Sequence, residues 1–144
     1  MKIAICSSAS FYPQVLEIEQ GLQKLGFQVE LPTGAIRLKE EDGFDPEAQK
    51  AGYIEKEDWQ LKEELIKAHF KKIQESDAIL VVNYEKKGIT GYIGGNGLME
   101  MAVAFHYKKP IYILNPVSKE LSYYEEVMGM RPVFLNSDLI KILL

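Results

Sequence analysis

The stretch DAILVVNYEKKGITGYIGGNGLMEMAVAFHYKKPIYIL, Asp77 to Leu114, decides how this chain is read. Ala78 to Val82 is a short, β-branched apolar run, the mark of a buried parallel strand. A polar loop dense in glycine follows, with Asn83, Tyr84, Gly88, Gly91, Gly94, Gly95, Asn96 and Gly97. Leu98, Met101, Ala102 and Phe105 then fall at helical spacing, which starts a helix near Asn96. Lys109-Pro110 ends that helix, and Ile111 to Leu114 reads as the next strand. The unit is strand, loop, helix, strand, with Glu100 in the first turns of the helix beside the loop.

Two physical facts make this loop a candidate site. Loops at the C-terminal ends of parallel strands line the crevice where open α/β sheets take ligands. A helix N-terminus behind several glycines also presents unpaired N–H groups to an anion or a sugar oxygen. Glu100 has a plain alternative role there, since a carboxylate near a helix N-terminus gains about 0.3–1 kcal/mol from the dipole.

With 144 residues and 47% hydrophobic content, the chain is expected to fold as one domain with a full core. Its net charge of −4 supplies no basic stripe, which argues against a nucleic-acid polymer as partner. The single cysteine, Cys6, excludes an intramolecular disulfide framework and suits a reducing cytoplasm. No signal peptide is read at Met1-Lys2, and no apolar run approaches the roughly 20 residues that span a membrane. A small soluble cytoplasmic domain is the expectation.

Upstream, Ile3 to Cys6 reads as a first strand, followed by Ser7, Ser8, Ala9 and Ser10. Ser10 is the expected N-cap of a helix with Pro13 in its first turn, Leu22 and Leu25 on its buried face and Gly26 as its stop. Small hydroxyl residues in a first βα turn suit a phosphate or ribose, or simply cap the turn; no G-x-G-x-x-G is present. Phe27 to Leu31 reads as a second strand. From Thr33 to about Asp58 the periodicity lapses into a polar excursion, read as a lid or a solvated loop carrying two short helical pieces, Ile36 to Glu41 and Pro46 to Ala51.

Trp59 to Ser76 is the clearest amphipathic helix. Leu61, Leu65, Ala68 and Ile73 take one side, and lysines including Lys62, Lys67 and Lys72 are read on the solvated side. His69 falls near the apolar side, where a histidine is ordinarily a hydrogen-bonded packing residue. His106 suits the negative end of the central helix. No histidine pair has ligand spacing and Cys6 has no Cys or His neighbour in sequence, so no metal and no cofactor are expected. Beyond Asn115-Pro116, Lys119 to Met128 reads as a helix stopped by Gly129, Val133 to Leu135 as a last strand, and Ser137-Asp138 as the cap of a terminal turn.

This order predicts an α/β fold: a five-stranded parallel sheet with helices on both faces, flavodoxin-like in strand order, a three-layer sandwich. Right-handed crossovers then bring Ser7–Ser10, Asn83–Gly97 and Asn115 to one edge of the sheet.

In these residues the chain resembles the nucleoside 2-deoxyribosyltransferase superfamily, which includes the 2'-deoxynucleoside 5'-monophosphate N-glycosidases. Asp77, the run at 79–82, the loop to Gly97, Glu100, and Lys109-Pro110-Ile111 match that family's motif in order, over about a quarter of the chain. The resemblance implies Glu100 as the nucleophile at the anomeric carbon. It implies Ser7, Ser8 and Ser10 as holders of a 5'-phosphate, with Asn83, Gly94, Gly95, Asn96 and Gly97 around the substrate. His69 stands where the family has a substrate-contacting aspartate, and there it is a candidate general acid. Ala4 stands about where the family has a first-strand tyrosine.

The expected function is cleavage or base exchange at the N-glycosidic bond of a nucleoside or nucleoside 5'-monophosphate. The alternative is a non-catalytic nucleotide-binding module on the same fold; a third reading is an unrelated flavodoxin-like enzyme or flavin carrier. The resemblance also implies a homo-oligomer, for which Tyr123, Tyr124 and Phe105-His106-Tyr107 are the candidate contacts.

Overall fold

The computed structural model describes residues 1–144. β1 (Lys2–Ser7) is an interior strand of the sheet, and four of its six residues, Ile3 to Cys6, are buried. β1 pairs in parallel with β2 (Gln28–Glu30) on one side and β3 (Ala78–Val82) on the other, with Cys6 opposite Val81 and Ser7 opposite Val82. β4 (Ile111–Ile113) and β5 (Val133–Phe134) extend the sheet beyond β3. The order β2-β1-β3-β4-β5, parallel throughout, is the predicted flavodoxin-like sheet.

Strand alternation divides the core into two layers. Ile3, Ile5, Leu80 and Val82 face the side covered by α1 (Tyr12–Lys24) and α2 (Thr33–Glu40), and pack with Val15, Leu22 and Ala35. Ala4, Cys6, Ile79 and Val81 face the side covered by α4 (Trp59–Gln74) and α5 (Gly95–His106), and pack with Ile73, Met101 and Ala104. Cys6, read in sequence as an isolated thiol, is thereby turned toward the two helices that carry His69 and Glu100. No helix is long and apolar enough to cross a membrane.

Several local expectations are corrected. Ser8, not Ser10, caps the first βα turn: its Oγ accepts from Ser10 N at 3.4 Å, and a single 3-10 turn at Ala9–Phe11 precedes α1. The excursion is mostly helical, as α2 and as α3 (Pro46–Glu55), whose N-cap Asp45 accepts from Glu47 N and Ala48 N. Each of these helices fully buries one residue, Ala35 or Tyr53, so neither writes an apolar stripe into the sequence. On α4 the buried line runs through His69 and Ile73, Ala68 is exposed, and Lys62 and Lys72 lie half-buried. The Lys119–Met128 helix shrinks to α6 (Tyr124–Gly129), and the left-handed residue after it is Arg131 (φ 55°), not Gly129. Tyr123 and Tyr124 pack into the second core layer instead of projecting, and the Tyr123 hydroxyl donates to the Ile93 carbonyl.

Candidate active site

A cleft of about 580 Å³ opens at the C-terminal edge of the sheet, large enough for a nucleotide-sized ligand. It lies between the β1 loop, the β3–α5 loop, α3 and α4. The β3–α5 loop is held from below. Asn83 is fully buried; its Nδ2 donates to the Gly91 and Asn115 carbonyls at 3.1 and 2.9 Å, and its Oδ1 accepts from Asn115 N at 2.9 Å. Gly91 sits at φ +65°, where a Cβ would come within 2.0 Å of the Pro116 carbonyl oxygen. The loop then delivers Gly94 as an extended N-cap with no side-chain cap, leaving the first N–H groups of α5 open to the cleft wall formed by Gly94 to Gly97.

Glu100 is the only carboxylate lining this cleft. It stands beyond the first turn of α5, where the helix dipole no longer explains an acid. Its Oε2 is 3.4 Å from His69 Nε2, and His69 Nε2 is 3.6 Å from Cys6 Sγ. The carboxyl and imidazole side chains are only 13% and 7% exposed. Burial pushes the Glu100 carboxyl up to about 7, although the Cys6 thiol and the Lys62 charge pull it down. Burial pushes the His69 imidazole down to about 4, with the Lys72 charge acting the same way and the Ile5 carbonyl opposing. The Cys6 thiol is raised by burial first and by Glu100 second. Burial thus favours the neutral form of all three groups, thiol, imidazole and carboxyl.

The rim has the opposite character. Lys50, Lys62, Lys86 and Lys87 line the cleft of a chain whose net charge is −4. Lys86 Nζ donates to Ser8 Oγ at 2.8 Å, and Lys62 Nζ to Asn96 Oδ1 at 3.0 Å. Burial lowers Lys86, and the neighbouring Lys50 and Lys87 charges lower it further, opposed in part by the Glu47 carboxylate.

Of the residues singled out from sequence, Glu100, His69, Ser7, Ser8, Gly94, Gly95, Asn96 and Gly97 all meet in this cleft. Two do not. Ser10 turns away and donates its hydroxyl to Glu47 Oε1 on α3. Asn83 spends its amide on the loop beneath the site, so it shapes the wall without reaching a ligand. Cys6, without a Cys or His neighbour in sequence, has His69 and Glu100 beside it in space, because β1, α4 and α5 converge there.

Sequence reading missed Tyr12, Tyr53 and the four lysines. Tyr12 lies in the cleft because Gly34 has no Cβ, which would stand 2.8 Å from the Tyr12 ring. Its phenol is raised by burial and, next, by the Glu100 charge, which marks it as a neighbour of the carboxylate. Lys86-Lys87 stood inside the loop that was read for its glycines alone.

No known family model matches the chain, and no curated protein matches it. Among solved structures it is similar to the 2-deoxyribosyltransferase of the psychrotolerant bacterium Bacillus psychrosaccharolyticus, described as a biocatalyst for nucleoside synthesis. The two align with a TM-score of 0.54 over 85% of this chain and 78% of that one, at 17% identity. At that identity the likeness is one of fold: an α/β domain with the five-stranded parallel sheet described above.

Proposed function

We propose that the chain is an enzyme acting on the N-glycosidic bond of a nucleoside 5'-monophosphate or nucleoside, with Glu100 as nucleophile. The observation that carries this reading is one buried carboxylate on the floor of a lysine-rimmed cleft, at the sheet edge where such folds take ligands. The shared fold with a 2-deoxyribosyltransferase supports it.

In this reading the Glu100 carboxylate attacks the anomeric carbon, the C–N bond breaks, and the base leaves with the bonding pair and takes a proton from water. Water then attacks the same carbon in cleavage, or a second base in exchange, and the carboxylate is released. No cofactor enters these steps. A neutral His69 at Nε2 fits a partner that orients Glu100 better than an acid that protonates a departing base, since its proton affinity is low. Lys86, Ser8 and the open α5 N-terminus favour an anionic group, which is the argument for a 5'-phosphate.

The α2–α3 segment belongs to the same single domain, and α3 supplies Lys50 and Tyr53 as a cover over the cleft. Trp59, Phe105 and Tyr107 are 55%, 53% and 46% exposed, which supports a homo-oligomer; light scattering on the purified protein tests it. A cytoplasmic setting agrees with the single buried thiol.

The test of the activity is chromatography of free base released from a panel of nucleosides and 5'-monophosphates, with and without a second base as acceptor. Release by the wild type that Glu100→Gln abolishes supports the reading. Tight nucleotide binding with no release under either condition replaces it with a binding module.

A further inference from the structure

Cys6, His69 and Glu100 come from three elements, β1, α4 and α5, and offer one donor atom each; these atoms all lie within 4.8 Å of one another. Hydrogen bonding accounts for only part of the convergence, since Glu100 Oε2 and His69 Nδ1 are left without partners. His69 Nε2 has a single lone pair or a single proton to give, yet both Cys6 Sγ at 3.6 Å and Glu100 Oε2 at 3.4 Å face it. Glu100 Oε2 is buried and makes no hydrogen bond. A buried polar group left in that state is destabilising until something pairs with it.

We infer that the three residues form a binding site for one divalent ion of the zinc class, at the floor of the cleft. The spacing fits. With Zn–S near 2.3 Å and Zn–N and Zn–O near 2.0–2.1 Å, tetrahedral ligands stand about 3.3–3.6 Å apart. The two edges at Nε2 measure 3.6 and 3.4 Å before any ion draws the ligands in. A thiolate with an imidazole selects a borderline-soft ion over magnesium or calcium, and binding releases the Cys6 thiol proton to solvent. Cys6 closes the site from behind, being fully buried, while His69 and Glu100 line the cleft. The fourth position therefore opens toward the cleft, which is also the path of entry. An ion held there occupies the carboxylate lone pair that attack at carbon requires, so metal loading and nucleophilic action by Glu100 exclude one another.

The test titrates the metal-free full-length protein with Co²⁺, then displaces it with Zn²⁺, in the absence of any substrate. One equivalent of Co²⁺ with a near-ultraviolet thiolate-to-cobalt absorption is expected, and zinc should abolish it. Cys6→Ser should lose the absorption, and His69→Gln should bind more weakly by more than the 10–100-fold that losing an outer partner costs. Because Cys6→Ser alters the core, its fold is checked by circular dichroism; if it is unfolded, Cys6→Ala and the wild-type spectrum decide. No stoichiometric binding, binding without the thiolate absorption, or an absorption that survives in a folded Cys6 variant each overturn the site. Base release is measured separately on chelator-treated enzyme. A protein that binds the ion but releases no base keeps this site and loses the glycosidic reading; a base-releasing enzyme indifferent to one equivalent of zinc overturns the site.

Discussion

His69 Nε2 lies 3.4 Å from Glu100 Oε2, both side chains nearly closed to solvent, at the point where α4 and α5 approach the end of β1. Two groups that would attract each other as ions are instead both driven toward neutrality by burial. The first prediction follows from the carboxylate of this pair. Glu100→Gln keeps the shape and removes the proposed nucleophile, so base release should fall by about 10³-fold or more while nucleotide affinity stays within a few-fold. Single-turnover base release beside equilibrium binding checks it; equal loss of both would point to a disturbed cleft instead.

The same carboxyl ties stability to pH. Its pKa is raised from 4.5 to about 7, so the folded state holds the proton more tightly than the unfolded chain. The stability this contributes is fully present below 4.5 and is lost as pH rises through 7. In chelator-treated protein, Glu100→Gln should therefore gain on the wild type between pH 5 and pH 8, by up to about 3 kcal/mol. Denaturant unfolding of both proteins across that range is the measurement, and parallel pH curves would contradict it.

His69 runs the other way. Its pKa is depressed from 6.5 to about 4, so stability is present above 6.5 and lost as pH falls toward 4. His69→Gln should flatten the acid limb of the stability curve, and the slope is the quantity to compare, since the substitution also repacks a buried position. An acid limb as steep as that of the wild type would remove His69 as its cause.

The sheet was legible because β3 and the β1 core are continuous apolar runs and the helix of Glu100 is long and periodic. Glu100 itself could be named for the same reason: an acid just behind a glycine loop and a strand is a local pattern. The trio around it could not. Cys6, His69 and Glu100 are separated by most of the chain, and only the parity of β1 and the helical phase of α4 bring them together. Asn83 and Ser10 look like ligand-contacting residues in sequence, but their hydrogen bonds to the loop beneath the site and to Glu47 take them away from the cleft. The short α2 and α3 were blurred because each buries a single residue, and the lysines of the rim were hidden in a chain that is acidic overall.

The loop beneath the site gives a structural prediction. Gly91→Ala places a methyl group 2.0 Å from the Pro116 carbonyl oxygen, at a φ of +65° that strains any side chain. Asn83→Ala leaves the Gly91 and Asn115 carbonyls and Asn115 N without their partner. Each should destabilise by about 2–4 kcal/mol. The pair should be less than additive, because both release the same contact between the β3–α5 loop and the Asn115–Pro116 turn. Thermal melts of the single and double variants test this, and full additivity would mean the two residues act independently.

The lysine rim decides between nucleotide and nucleoside. Lys86 reaches Ser8 at 2.8 Å in the first βα turn, and its proton affinity is lowered by burial and by Lys50, which Glu47 offsets only in part, so an anion arriving there is favoured. A charge-assisted hydrogen bond to phosphate contributes about 1.5–3 kcal/mol. Lys86→Ala should thus raise the KM for a 5'-monophosphate by roughly 10–100-fold and leave that for the matching nucleoside nearly unchanged, with kcat affected little in either case. Lys50→Ala should act in the same direction more weakly, because no hydrogen bond fixes its position among the groups lining the cleft. Added salt should raise the KM of the wild type for the monophosphate and not for the nucleoside, since only the former is drawn in by charge. If Lys86→Ala changes the two substrates alike, the rim does not bind phosphate and the enzyme is to be assayed as one that takes nucleosides.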